Sequence, residues 1–125
     1  MSETAKKILL IEDNPGDALL LMEGLREFNS EPPFELVHVD RLATGIERAK
    51  QERFAAVLLD LSLPDAKGVE TVVRMQRETE TLPIVVLTGL DDDSTAVEAV
   101  RGGAQDYLVK GQLDGRLLVR ALSYA

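Results

Sequence analysis

Two hydrophobic rhythms alternate along this chain. Ile8-Leu9-Leu10-Ile11, Val57-Leu58-Leu59, Ile84-Val85-Val86-Leu87 and Tyr107-Leu108-Val109 are short, nearly unbroken apolar runs. Runs of that length without a polar face fit parallel strands covered on both sides. Between them, apolar residues recur every three or four positions, the period of a helix with one buried stripe. Ala18, Leu21, Met22, Leu25 and Phe28 make the first stripe. Leu42, Ile46 and Ala49 make the second, and Val69, Val72 and Val73 the third. Leu113, Leu117, Leu118, Ala121 and Tyr124 make the last. A further strand is expected from Phe34 to Val39, after the break at Glu31-Pro32-Pro33.

The punctuation supports five strand–helix alternations. Asn14 can cap the first helix with Pro15 at its first position, where a missing N–H costs nothing. A helix follows Asp40, with Gly45 an unfavourable residue inside it. The third strand runs from Ala55 to Asp60, and Pro83 opens the fourth. Asp91-Asp92-Asp93 offers caps and negative charge at the positive end of the fourth helix, and Gly102-Gly103 ends it. Polar residues Glu35 and His38 mark the second strand as an edge, and Gln105-Asp106 mark the fifth. The expected fold is therefore α/β, a five-stranded parallel sheet in the order 2-1-3-4-5, doubly wound and flavodoxin-like. Right-handed crossovers then put helices 1 and 5 on one face and helices 2, 3 and 4 on the other.

Composition narrows the function classes. A chain of 125 residues is one domain, 1–125. The last helix keeps its apolar period to Ala125 without a stop signal, a pattern compatible with the amino-terminal part of a longer protein and equally with a stand-alone domain. A net charge of −8 argues against direct nucleic-acid binding and against an anionic membrane surface. Without cysteine there is neither a disulfide framework nor a thiolate zinc site. Four apolar residues after Lys6-Lys7 are too few for a signal-peptide core. No run approaches the ~18 residues of a membrane helix. A soluble, cytoplasmic domain is the expectation.

Four of the five strands end in residues that can do chemistry: Glu12 and Asp13, Asp60, Thr88, and Lys110. Parallel strands bring their carboxyl ends to one edge, where open α/β folds bind ligands. Three carboxylates brought together repel one another, so the cluster needs a cation or shared protons. Oxygen donors without His or Cys favour a hard ion, and Mg²⁺ suits one or two carboxylates with waters and a phosphate. A Lys and a Thr nearby could hold further phosphate oxygens, and an Asp carboxylate can itself accept a phosphoryl group. Taken singly, each residue has a plainer role. Glu12-Asp13 could be a solvated cap, Asp60 a turn residue, Thr88 a strand former, Lys110 an edge guard and Tyr107 an apolar body with a wet tip. Four complementary groups at four strand ends are not explained that way.

Together Glu12-Asp13-Asn14, Asp60 with Pro64-Asp65 and Gly68, Thr88-Gly89, and Tyr107 three before Lys110 resemble the response-regulator receiver (CheY-like) domain of two-component signalling. The resemblance covers residues 6 to about 125. It implies that Asp60 is the phosphoacceptor of a phosphorelay, with Mg²⁺ as cofactor. The donor would be a sensor histidine kinase or a histidine phosphotransfer protein. Asp13 would bind Mg²⁺ directly and Glu12 mainly through water, with Asp60 and the backbone carbonyl of Ser62 completing the protein ligands. Thr88 and Lys110 match the groups that grip the phosphoryl oxygens. Thr88 and Tyr107 match the switch that reshapes the surface of helix 4, strand 5 and helix 5. Such a domain is a signalling module rather than an enzyme, compatible with a downstream output domain or a homodimer.

Gly111 follows Lys110 where most receivers have proline, and Ser62 and Leu90 occupy variable positions near the site. Other classes fit less well. A phosphohydrolase of the haloacid-dehalogenase type wants a second Asp where Ser62 stands, and a flavodoxin-like cofactor binder wants a phosphate-cradling loop after the first strand. A receiver fold used only for unphosphorylated interaction leaves the acidic site without a purpose.

Overall fold

The computed structural model describes residues 6–27, 33–79, 81–89, 93–112 and 114–125. Strands β1 (Lys6–Ile11), β2 (Phe34–Val39), β3 (Ala56–Asp60), β6 (Ile84–Thr88) and β7 (Asp106–Val109) form one parallel sheet. Its order is β2-β1-β3-β6-β7, the expected 2-1-3-4-5 arrangement once two minor strands are set aside. Those are β4 (Ser62–Leu63) and β5 (Ala66–Lys67), a two-residue antiparallel pairing around Pro64-Asp65 that the apolar pattern does not announce. The remaining elements are α1 (Pro15–Glu27), α2 (Leu42–Gln51), α3 (Val69–Glu78), α4 (Asp93–Arg101) and α5 (Gly115–Tyr124). A 3-10 turn covers Lys110–Gln112.

Two cores lie on opposite sides of the sheet. Ile8, Leu10, Leu58, Val85 and Leu87 pack under α1 and α5 through Ala18, Leu21, Leu25, Leu118, Ala121 and Leu122. Leu9, Ile11, Val57, Leu59 and Val86 pack under α2, α3 and α4 through Leu42, Val72, Met75 and Ala99. Alternate residues of one strand thus serve opposite faces, which explains why the central strands carry no polar face. The partition of helices is the one expected from right-handed crossovers.

Several local expectations needed correction. Ala55 and Pro83 precede rather than open their strands: the Ala55 N–H donates to Lys7 O at 2.8 Å, and Pro83 O accepts from Val57 N at 2.9 Å. Leu117 and Tyr124 are exposed, because α5 turns Leu118, Ala121 and Leu122 inward. In α3, Thr71, Val72 and Met75 are buried, while Val69 and Val73 lie half-buried beside them. Gly45 is no weakness in α2. A Cβ there would fall 2.2 Å from Ile11 Cδ1, so glycine lets the helix approach the end of β1 closely. Gly103, with φ of +124°, allows the reversal after α4. Phe28, Glu31, Pro32, Leu90, Asp91, Asp92 and Leu113 lie outside the described residues.

Candidate phosphoacceptor site

The site is built by strand register. Ile11 pairs with Leu59, so Glu12 follows β1 beside Asp60, the last residue of β3. Asp60 pairs with Leu87, which puts Thr88 next along β6, and Thr88 pairs with Val109, the residue before Lys110. All the strand-end groups expected from the sequence therefore gather at one edge. Ligand oxygens of Glu12, Asp13 and Asp60 lie within 4.8 Å of one another. Glu12 and Asp60 are buried, whereas Asp13 faces solvent.

Local structure holds these groups. Glu12 Oε1 accepts from Asn14 N–H at 3.1 Å, and Asn14 Oδ1 in turn accepts from Asp17 N–H at 3.1 Å, capping α1 as expected. Asp60 Oδ1 accepts from the Ser62 N–H at 3.2 Å, which orients the carboxylate through its own loop. Lys110 reaches into the cluster from the 3-10 turn despite Gly111 in place of proline. Its Nζ lies 2.8 Å from Glu12 Oε2, 3.2 Å from Asp17 Oδ2 and 3.3 Å from Asp60 Oδ2.

Electrostatics follow from this crowding. Burial pushes the Asp60 carboxyl up to about 7, and neighbouring Glu12 adds to the rise while the Lys110 ammonium opposes it. Burial works against the Lys110 ammonium, but Glu12, Asp60 and Asp17 outweigh it and hold its pKa above the ordinary value. Three buried side-chain oxygens among the described residues have no aligned hydrogen bond: Thr71 Oγ1 in α3, and two at the site, Glu12 Oε2, which has only its ion pair with Lys110, and Thr88 Oγ1. Buried polar atoms normally find partners, so the two at the site point to an absent ligand. An all-oxygen donor set with an under-satisfied carboxylate oxygen fits a hard divalent cation.

Tyr107 stands in β7 and is 41% exposed. Two contacts were not legible in the sequence. His38, read there only as an edge marker, meets the backbone carbonyl of Glu12 through Nε2 at 2.6 Å. Asp17, on the first turn of α1, joins Lys110. Its signal was an acid three residues after the helix cap, on the turn nearest the strand ends.

Comparison with known proteins agrees with this geometry. The family model "Response regulator receiver domain" matches residues 8–122. The chain belongs to that family. It is 39% identical over 104 residues to the transcriptional regulatory protein YclJ of Bacillus subtilis, covering 83% of this chain and 44% of that protein. A CheY-like response regulator receiver domain protein from Methanospirillum hungatei superposes with a TM-score of 0.80 at 21% identity, over 97% of this chain and 93% of that one. The receiver domain of the sensor histidine kinase PA1611 from Pseudomonas aeruginosa superposes with a TM-score of 0.78 at 26% identity, covering 97% of each chain. That structure holds a magnesium ion in its active-site cleft. The receiver domain spans about half the length of the curated relatives it matches.

Proposed function

We propose that this receiver domain takes a phosphoryl group on Asp60 from the phosphohistidine of a sensor kinase or phosphotransfer protein. The observation that carries the reading is the buried Asp60 carboxylate, 3.3 Å from the Lys110 ammonium and clustered with Glu12 and Asp13. An Asp60 carboxylate oxygen attacks phosphorus, forming an O–P bond as the donor P–N bond breaks. The bonding pair stays on the imidazole, which takes up a proton. Little covalent chemistry falls to the protein beyond positioning and charge neutralisation.

Asp13, Asp60 and the Ser62 carbonyl would hold Mg²⁺ directly, and Glu12 mainly through water. Held by these residues, the ion would supply positive charge against the transferring group and favour the ionised Asp60 carboxylate at neutral pH. Lys110 supplies the second positive charge. The Thr88 hydroxyl, buried without a partner, gains one in a phosphoryl oxygen. Moving Thr88 frees space for Tyr107 to turn inward, so a local change of charge reshapes the surface of α4, β7 and α5. A downstream output domain or a second copy of the chain would read that surface. The domain acts as a switch rather than an enzyme, and a cytoplasmic location goes with this role; no described helix is long and apolar enough to cross a membrane.

Incubation with acetyl phosphate, followed by intact mass, tests the reading. A phosphate-sized gain is expected that requires Mg²⁺ and disappears in Asp60→Asn. The absence of any gain in the unsubstituted chain overturns it. Thr88→Ala should still take the phosphoryl group while its α4–β7–α5 surface no longer responds, as followed by amide chemical shifts.

A further inference from the structure

We infer that Asp17 is a positioning residue for the phosphoryl-transfer reaction, holding the Lys110 ammonium over Asp60 from the first turn of α1. The inference rests on the phosphoacceptor reading of Asp60. A lysine ammonium has three N–H donors on a long flexible stem, and its place is set by whatever accepts from it. Three carboxylates surround Lys110 here: Glu12, Asp17 and Asp60. Only two of them belong to the carboxylate trio, Glu12 and Asp60; Asp17 lies outside it. The contact with Asp17 has hydrogen-bond geometry at 3.2 Å, and the contact with Glu12 Oε2 is a shorter ion pair at 2.8 Å.

Glu12 and Asp60 therefore have other work once a cation and a phosphoryl group arrive, and Asp17 is the acceptor left to Lys110 alone. Asp17 is itself fixed, its backbone N–H bonded to Asn14 Oδ1 in the cap of a 13-residue helix. The need is specific to this chain. Lys110 opens the 3-10 turn and is followed by exposed Gly111, which places no side chain beside the ammonium. Asp17 and Lys110 also line an open cavity of about 280 Å³ between α1 and α5. Shortening Asp17 removes a tether there without emptying a packed core.

The test is the initial rate of phosphate gain from acetyl phosphate at saturating Mg²⁺, with Mg²⁺ affinity measured by calorimetry. Asp17→Ala is expected to slow the gain about tenfold, less than the roughly hundredfold that a 1 Å misplacement can cost, because Glu12 and Asp60 still hold the ammonium. Its Mg²⁺ affinity should stay within about threefold of the unsubstituted chain, because Asp17 is not among the metal carboxylates. Asp17→Glu, which restores an acceptor on the same turn, should recover most of the rate. Asp17→Ala at the unsubstituted rate overturns the inference, as does equal slowing in Ala and Glu variants. A rate loss matched by an equal loss of Mg²⁺ affinity also overturns it, since that marks a general charge effect. Failure of the underlying reading looks different: the unsubstituted chain itself then gains no phosphate.

Discussion

Two aspartates five residues apart, Asp60 and Asp65, are driven in opposite directions by what surrounds them. Asp60 closes β3 among a buried glutamate and an ammonium, and its carboxyl is pushed up to about 7, first by burial and then by Glu12. Asp65 sits at the turn of the β4–β5 pairing and faces the start of α2. Burial raises Asp65 too, but the N–H groups of Ala43 and Leu42 outweigh it and hold the carboxyl below its usual range. Those bonds measure 3.0 and 2.9 Å, so Asp65 caps a helix distant in sequence, at whose own N-cap Arg41 makes no side-chain bond. One carboxylate is kept poised and reactive, the other is committed to structure. Identity does not separate them; deeper burial beside a second carboxylate, Glu12, does.

Substituting both residues gives the sharpest separation. Asp60→Asn should abolish the Mg²⁺-dependent mass gain, and Asp65→Asn should keep it; loss in both would merge the two roles. Stability should move the opposite way. Because the folded-state pKa of Asp60 is raised, the native chain retains a proton that the unfolded chain releases. Metal-free stability from this group is thus fully present below about 4 and is lost as pH rises through about 7. Asp60→Asn should therefore be more stable by about 2 kcal/mol in urea unfolding at pH 8 without metal, with the gap closing toward pH 4. Asp65 has the reverse sign: its stabilisation is present above the ordinary carboxylate pKa and is lost as pH falls through the lowered value. Asp65→Ala should cost about 1 kcal/mol at neutral pH, the usual worth of a lost cap.

This contrast also marks what the sequence could disclose. The sheet order, the two cores and the convergence of Glu12, Asp13, Asp60, Thr88 and Lys110 follow from apolar period, the polar marks of the edge strands, the common doubly wound order and crossover handedness. The capping of α1 by Asn14 was legible because donor and acceptor lie three residues apart. Asp65 reaching α2, His38 reaching the Glu12 carbonyl and Asp17 reaching Lys110 were not legible. Each joins residues more than 20 positions apart through a side chain whose direction no periodicity encodes. The facing of α5 was misjudged for a related reason. Its pattern offers Leu117 and Leu118 side by side, and only packing against the sheet decides which is buried.

The smallest expected effects come from the cations that stand beside each carboxylate. Lys110 opposes the rise at Asp60, so Lys110→Ala should push that carboxyl further up, by about one pH unit in a titration of the metal-free chain followed by side-chain carbon shifts. Arg74 lies by Asp65, its Nη1 donating to the Asp65 carbonyl oxygen at 3.1 Å, and it lowers the carboxyl less than the α2 amides do. Arg74→Ala should therefore shift Asp65 upward only slightly and leave it below the ordinary range. A return to the ordinary value would mean that the charge, and not the helix amides, sets this carboxylate. Asp65 would then be held as Asp60 is opposed, by a single cation, and the distinction between a capping and a reacting aspartate would lose its physical basis.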